Sequence, residues 1–387
     1  MLTVIGKSDF DLMHRAILLA MNGRGSVEPN PMVGCIIVKD GRLIGEGFHE
    51  RFGGPHAEPN ALAACRESPE GATAYVTLEP CCHVNKKTPP CVPRLIEAKL
   101  TRVVVGTLDP NPQVAGRGVQ QLRAAGIQVD VVDSSQAKQL IAPFIATTTH
   151  HRPYVTLKWA ESSDGKVAGP PGKRTWISNR ASLKVVHQLR ARSDAILVGT
   201  NTVLADDPLL TVRGVEPMRT LRRVVLNRDL TIPISSRLIQ SVAEAAVEII
   251  CADAIHKTKS ELVRSLAFRG VKVTGLSVVD GGRIDLRQVL EHLGSQGMTH
   301  LLVEPGPTLA RSFLGSNLAD RVWVFRSPNP VGDSIAPSAP KVDYPATGST
   351  TLAGDVLTEY LNPASPVFFS LDQSADFLSV ATIAFAG

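Results

Sequence analysis

Apolar and polar positions along this chain fall into two successive series, each alternating short apolar runs with helical spacing. In the first, the runs Gly34–Val38, Ala74–Leu78, Arg102–Gly106 and Ile127–Val132 predict buried strands. Between them, Ala57–Glu67, Val92–Lys99 and Val119–Ala125 carry apolar residues at helical intervals, and Gly126 is placed to end the last of these helices. Lys39-Asp40-Gly41-Arg42 separates two strand signals and predicts a hairpin turn. Short connections in a β-α-β-α-β order predict a largely parallel sheet covered by helices.

The polar stretch from Thr147 to Pro153 marks the expected boundary, giving domains over residues 1–148 and 153–387. Beyond it, Tyr154–Trp159, Ala195–Gly199, Arg223–Leu226, Val247–Cys251, Val271–Thr274, His300–Val303 and Arg321–Phe325 predict strands. Asn179–Arg190, Lys257–Arg269, Asp285–Leu293 and Thr308–Leu314 predict helices, so the second domain is also α/β. Ser327–Asn362 is rich in Pro, Ser, Gly and Thr and reads as a long loop.

Composition narrows the class. A hydrophobic share of 43% with 20% charged residues is that of a globular protein. Aromatics at 5% and a net charge of +5 argue against a nucleic-acid surface, while the mild positive balance suits a phosphorylated small molecule. No apolar run approaches the roughly 18–20 residues of a membrane span. Asp9 and Asp11 open an amphipathic N-terminal helix where a signal peptide would be basic, which makes the cytoplasm the expected compartment. Six cysteines in so long a chain are no disulfide framework, and only Cys81, Cys82 and Cys91 cluster.

Those cysteines stand downstream of His56-Ala57-Glu58, in Pro80-Cys81-Cys82-His83 and Pro89-Pro90-Cys91. A His, two Cys and a Glu that is not a ligand are the parts of a zinc site that hydrolyses an amine from a nucleobase-like ring. His56, Cys81 and Cys91 would hold Zn²⁺ and leave a fourth position open for water. Glu58 would shuttle a proton from that water to the departing amine, a task suited to a carboxylate of raised pKa. A structural zinc site would need a fourth protein ligand, which Cys82 or His83 could supply.

With these motifs, Asn30-Pro31-Met32-Val33-Gly34-Cys35, Ala74-Tyr75-Val76-Thr77-Leu78-Glu79-Pro80-Cys81, Thr88-Pro89-Pro90-Cys91 and Asp109-Pro110-Asn111-Pro112, the chain resembles the bifunctional riboflavin-biosynthesis deaminase–reductases over almost its whole length. The resemblance implies a cytidine-deaminase-like domain followed by a dihydrofolate-reductase-like α/β domain. It implies hydrolytic deamination of 2,5-diamino-6-(5-phosphoribosylamino)pyrimidin-4-one, then NADPH reduction of the ribosyl group to a ribityl chain, in a homodimer or tetramer. Asn30 would hydrogen-bond the pyrimidine. The loop between the cysteines is one residue longer than the family's and lacks its Gly-Arg pair, with Lys86 or Lys87 as the replacement for the Arg.

The second domain has no Gly-x-Gly-x-x-Gly after a strand, only turn-rich clusters at strand ends such as Ser163-Asp164-Gly165-Lys166 and Glu304-Pro305-Gly306-Pro307-Thr308. The latter runs from a strand into a helix, where backbone N–H groups can hold phosphate. By resemblance, Ala160, Trp176, Thr202, Asp206, Gly306, Pro307 and Thr308 contact NADPH, and Arg190, Leu210, Arg213 and Glu304 contact substrate. Two arginines would suit the 5-phosphate. Four departures from the family pattern fall here: Ser163 in the Ser-Asp-Gly turn, Arg174, Pro305, which removes a backbone N–H donor, and the Ser327–Asn362 segment, which matches the family's tail poorly. Two other readings stand beside the bifunctional one: a deaminase whose second domain has lost reduction, and a structural zinc module joined to a nucleotide-binding domain.

Overall fold

The computed structural model describes residues 7–83, 88–169, 175–279 and 281–369. Lys86, Lys87 and Arg174 lie outside them. The chain divides into two compact units, the first ending at His150 and the second running from His151 to Phe368.

The first unit is built from α1 (Lys7–Ala20), β1 (Gly34–Lys39), β2 (Arg42–Phe48), α2 (Ala57–Ala63), β3 (Thr73–Val76), α3 (Cys91–Glu97), β4 (Arg102–Val105), α4 (Arg117–Ala124), β5 (Gln128–Val131), α5 (Ser135–Leu140) and α6 (Ala142–His150). Its sheet has the order β2-β1-β3-β4-β5. β2, β3, β4 and β5 run in one direction and β1 alone is reversed, antiparallel to both its neighbours, so the expected largely parallel sheet carries one antiparallel strand and is mixed. Successive residues of β1 face opposite layers. Cys35 and Ile37 pack with Ala57, Ala61, Val92, Leu95 and Leu122 of α2, α3 and α4, while Ile36 packs with Met13, Ile17 and Ala137 of α1 and α5. α6 runs to His150, into the polar stretch expected to mark the boundary. Its threonines are accommodated because Thr147 and Thr149 hydroxyls donate back to the carbonyls of Pro143 and Ile145.

The second unit contains β6 (Tyr154–Glu161), α7 (Arg180–Ala191), β7 (Ala195–Gly199), α8 (Thr200–Asp206), β8 (Arg222–Leu226), α9 (Arg237–Gln240), β9 (Val247–Ala252), α10 (Asp253–Thr258), α11 (Ser260–Phe268), β10 (Lys272–Leu276), β11 (Val278–Val279), β12 (Arg283–Ile284), α12 (Leu286–Ser295), β13 (His300–Val303), α13 (Pro307–Gly315), β14 (Arg321–Arg326), β15 (Ala346–Leu352) and β16 (Asp355–Leu361). Nine strands form one sheet, β10-β9-β8-β7-β13-β6-β14-β16-β15. Its first seven strands are parallel, and β16 and β15 are added antiparallel. β7 shows how the sheet is covered on both faces. Ala195 and Leu197 meet α12 and α13 through Val289, Leu293, Ala310 and Phe313, whereas Ile196 and Val198 meet Leu238 and Leu266 of α9 and α11.

Ser327–Asn362 is therefore not one long loop, since it contains β15 and β16. Leu357, Glu359 and Leu361 are buried at intervals of two, a strand period that the Pro, Ser, Gly and Thr content obscures. The turn Ser163–Lys166 also serves the fold. The Asp164 carboxylate accepts from the backbone N–H groups of Val331 and Gly332, and Lys166 Nζ donates to the Ala336 carbonyl. These bonds fasten the segment that follows β14.

Candidate active sites in two α/β domains

His56, Cys81 and Cys91 reach one point from three places in the chain. His56 is the extended residue preceding α2, which lies close against β2 because a side chain at Gly47 would run into the Ala61 backbone nitrogen, 2.4 Å from the Cβ position. Cys81 follows β3, and Cys91 opens α3. The Cys91 and Val92 N–H groups donate to the Cys81 carbonyl at 3.0 and 3.2 Å, closing the connection between the cysteines at its ends. His56 Nδ1 lies 3.5 Å from Cys81 Sγ and 3.4 Å from Cys91 Sγ, and the three ligand atoms fall within 4.8 Å of one another. Nε2 lies 3.1 Å from Thr88 Oγ1, so in the tautomer that leaves Nδ1 free for a metal Nε2 would carry the ring proton and donate to that hydroxyl oxygen. A neutral imidazole nitrogen beside two thiol groups is a donor set that suits Zn²⁺, and an acceptor on the far nitrogen fixes the required tautomer.

Glu58, in the first turn of α2, is 3% exposed. Burial first, and the Cys81 sulfur second, raise its carboxyl above the ordinary carboxylate range against a counter-pull from His56 and a hydrogen bond with Cys91. His56, Glu58 and Cys81 open onto a cavity of about 340 Å³ whose other walls include Asn30, His49, Glu79, His83, Thr88, Asp109, Asn111 and Phe144. His49 Nδ1–H donates to the Pro55 carbonyl at 2.8 Å, so its Nε2 accepts from Asn30 Nδ2 at 3.1 Å. That bond turns the Asn30 carbonyl oxygen toward other partners. The buried Glu79 carboxylate accepts from the N–H groups of Asp109, Gly116 and Val119, holding the loop that carries Asp109 and Asn111 at the cavity wall. His83 Nδ1 is buried there without a partner among the described residues.

Sequence reasoning missed His49, Glu79, Thr88, Asp109 and Asn111 as members of this site. The Asp-Pro-Asn-Pro run was visible, but nothing local reveals that a carboxylate thirty residues upstream pins it.

In the second unit the functional groups gather at the carboxyl ends of the parallel strands. Glu304 follows β13 and forms a two-pronged ion pair with Arg190 of α7, both bonds 2.8 Å. Arg190 Nη1 also donates to the Thr211 carbonyl at 3.1 Å. The guanidinium fork expected to take a phosphate is thus engaged in holding Glu304 and the backbone at Thr211. Burial alone would raise the Glu304 pKa; Arg190, Lys158 and His187 overcome it and hold the carboxyl at about 2. Burial lowers the Lys158 amine, opposed by Glu304 and reinforced by Arg190. Burial, then Arg190 and Arg213, bring His187 down to about 4, and its Nδ1 accepts from the Arg213 N–H at 3.1 Å. Lys158 and His187 were missed, although a lone Lys in the apolar run Tyr154–Ala160 and a His three residues before Arg190 were legible signals.

Beside this cluster is a cavity of about 640 Å³ lined by Gly199–Thr202, the segment after β8, and Gly306–Thr308. Thr202, Gly306, Pro307 and Thr308 lie in its wall as expected, with Pro307 in the first turn of α13. Ala160, Trp176 and Asp206 do not line it, and Trp176 is 66% exposed. A dinucleotide fits this place by size and by the backbone N–H groups offered at the start of α13.

A His/Cys/Cys triangle with two buried thiols and an adjacent buried carboxylate, followed by a parallel sheet with a cofactor-sized cleft at its strand ends, defines a deaminase joined to a reductase. Residues 7–107 match the cytidine and deoxycytidylate deaminase zinc-binding region, and residues 153–355 match the RibD C-terminal domain. The chain is 42% identical over 334 residues to riboflavin biosynthesis protein RibD of Aquifex aeolicus, covering 86% of this chain and 90% of that protein. It is 41% identical over 333 residues to the Escherichia coli protein of the same name, covering 83% and 88%. Among solved structures, it is similar to Acinetobacter baumannii RibD, with a TM-score of 0.76, 35% identity and coverage of 92% and 99%. The Thermotoga maritima diaminohydroxyphosphoribosylaminopyrimidine deaminase/5-amino-6-(5-phosphoribosylamino)uracil reductase gives a TM-score of 0.76, 36% identity and coverage of 92% and 98%. The chain belongs to the RibD family and is a bifunctional deaminase and reductase of riboflavin biosynthesis.

Proposed function

We propose that the first domain holds Zn²⁺ through His56 Nδ1, Cys81 and Cys91 and hydrolyses the 2-amino group of 2,5-diamino-6-(5-phosphoribosylamino)pyrimidin-4-one, and that the second reduces the product with NADPH. The observation that carries the first half is the convergence of His56, Cys81 and Cys91 beside the buried Glu58. Zn²⁺ in such a site supplies the Lewis acidity that makes water nucleophilic at neutral pH. Glu58 takes the proton from the attacking water and delivers it to the leaving nitrogen as the C2–N bond breaks and ammonia departs; its raised pKa suits it to both transfers. Asn30 presents its carboxamide oxygen to a donor on the pyrimidine, held in that sense by His49.

NADPH supplies the hydride for the second reaction. Hydride adds at C1 of the ribosyl group, the ring C1–O bond breaks, and the ring oxygen gains a proton. Glu304, kept ionised by Arg190, orients the ribose hydroxyls, and Lys158 is placed beside it as a donor. Arg213 faces the 5-phosphate. Thr202, Gly306, Pro307 and Thr308, in the wall of the 640 Å³ cavity, would hold the cofactor. Ala160, Trp176 and Asp206 belong to this reading as contacts formed when the cofactor is bound. No helix among the described residues is long and apolar enough to cross a membrane. The same reading makes the protein a cytoplasmic homodimer or tetramer that acts on a small phosphorylated pyrimidine rather than on nucleic acid.

The test is Glu58→Gln in the full chain. It should retain zinc and lose ammonia release, while NADPH oxidation on separately supplied deaminated substrate persists. Ammonia release at the wild-type rate refutes the role of Glu58. Absence of NADPH oxidation in the wild-type protein refutes the reductase half.

A further inference from the structure

Arg223, on β8, is the largest fully buried side chain among the described residues, and no carboxylate bonds to it. All its acceptors are uncharged. Nη1 donates to the Leu209 carbonyl at 2.9 Å and to Ser241 Oγ at 2.8 Å; Nη2 donates to the Ser241 carbonyl at 2.7 Å and to that of Ala245. A guanidinium enclosed by carbonyls is a costly way to fill a core. The backbone it holds offers a reason for its presence.

Leu209 precedes Leu210, whose φ of +53° puts a branched residue in the left-handed region. The Leu210 side chain is anchored in the core with Val203, Leu221, Leu230 and Leu238. On its other side, the Thr211 carbonyl is held by Arg190. The carbonyls flanking Leu210 are therefore each gripped by a guanidinium, one from the core and one from the site. The segment is tied at both ends as well: the Asp207 carboxylate accepts from the Arg237 N–H at 2.8 Å, and the Arg213 N–H donates to His187 Nδ1. Such a conformation persists only where its surroundings over-determine it.

We propose that Arg223 is a positioning residue for the reductase site, holding Leu210 in its left-handed conformation so that the 210–213 backbone and Arg213 meet the ribosyl-phosphate end of the substrate. This rests on the reductase reading above. Arg223 touches neither substrate nor cofactor and acts through the Leu209 carbonyl.

The experiment compares Arg223→Met and Arg223→Lys with wild type in the full chain. It measures reductase kcat and KM for the deaminated pyrimidine and for NADPH, the Kd for ribose 5-phosphate, ammonia release, and the thermal unfolding midpoint. For Arg223→Met, the pyrimidine KM and the ribose 5-phosphate Kd should rise on the order of 10–100-fold. NADPH KM and ammonia release should stay at wild-type values. Lys, which can still donate to the Leu209 carbonyl, should fall between the two. A purely structural role would lower the midpoint and leave the pyrimidine KM and ribose 5-phosphate Kd of the folded fraction unchanged, and that result overturns the proposal. If Arg223→Met does not fold, Ser241→Ala, which removes one of the guanidinium's acceptors, decides: a raised pyrimidine KM with unchanged NADPH KM supports the clamp, and an unchanged pyrimidine KM refutes it. Wild-type protein that neither oxidises NADPH nor binds ribose 5-phosphate refutes the reductase reading itself, and the clamp with it.

Discussion

Replacing Thr88 by Val removes the acceptor of the His56 Nε2–H while keeping the shape of the side chain. The bond is 3.1 Å long and lies on the side of the ring opposite the two sulfurs. Without it, the tautomer that leaves Nδ1 free for a metal loses its bias, and the ring loses one restraint on its rotation. A neutral hydrogen bond of this kind is worth about 0.5–1.5 kcal/mol net. Partners that orient metal-binding histidines typically account for about 10–100-fold in metal affinity or activity. His56 is only partly buried, so water can replace the hydroxyl in part and the lower end applies. The expected effect is roughly a tenfold weaker zinc Kd, ~1.4 kcal/mol, read by competition against a chelating dye. Ammonia release at limiting zinc should fall in parallel and recover substantially when zinc is in excess. Thr88→Ser, which keeps the oxygen, should stay within about twofold of wild type. Zinc binding by Thr88→Val that is as tight as in the wild type would refute the assignment of Thr88 as the orienting partner.

Three further outcomes follow from the geometry. Breaking the buried Arg190–Glu304 pair by Arg190→Leu should destabilise the second unit by about 3–5 kcal/mol, seen as a lower urea midpoint, with Arg190→Leu/Glu304→Leu recovering much of it; equal midpoints for wild type and the single variant would contradict it. His187 has its folded pKa lowered to about 4 from an unfolded value near ~6.5. The stability it contributes is therefore present above about pH 6.5 and is lost as pH falls through about 4; His187→Gln should flatten the unfolding midpoint across that window, and an unaltered pH profile would count against it. Glu79→Gln puts an amide where three backbone N–H groups need acceptors, each such charge-assisted bond being worth about 1.5–3 kcal/mol. It should raise the deaminase KM through the Asp109–Asn111 loop while zinc content is retained, and an unchanged KM would show that the loop holds its place without it.

What the sequence made legible follows the range of the interactions concerned. The triangle His56, Cys81, Cys91 and its partner Glu58 could be read because zinc chemistry demands those residue types, and the structure brings all four together. Thr88 and Glu79 could not be read, since a hydroxyl or a carboxylate means nothing until the chain places a ring nitrogen or three N–H groups beside it. Strands of the parallel core were legible as apolar runs because both faces are buried. β15 and β16 were not, because only alternate residues of β16 are buried and no residue of β15 is. Arg190 shows a subtler limit. Its type suggested a phosphate ligand, but in the structure it pairs with Glu304, a contact that depends on the fold bringing the last turn of α7 to the residue after β13.

The connection between Cys81 and Cys91 brings these strands of reasoning to one point. By resemblance it is one residue longer than its family's and lacks a Gly-Arg pair, which leaves the loop, and not the ligands at its ends, as the open feature. The structure holds both ends. The Cys91 N–H donates to the Cys81 carbonyl at 3.0 Å and approaches its Sγ at 3.4 Å, and the Val92 N–H shares the same carbonyl. A side chain at Gly118 would come within 2.1 Å of the Pro80 carbonyl, so α4 lies directly against the chain just before Cys81. The ends of the connection are fixed by contacts made outside its middle. Closure entropy grows so slowly with length that one further residue in about ten then costs only ~0.1 kcal/mol, far below what a strained ligand would cost. The ligand triangle and the length of the loop are thus separable. A chain with Lys86-Lys87 deleted to a single Lys should bind zinc with unchanged affinity, and any change should appear in the pyrimidine KM. A loss of zinc affinity in that variant would mean that the middle of the loop, and not its pinned ends, shapes the site.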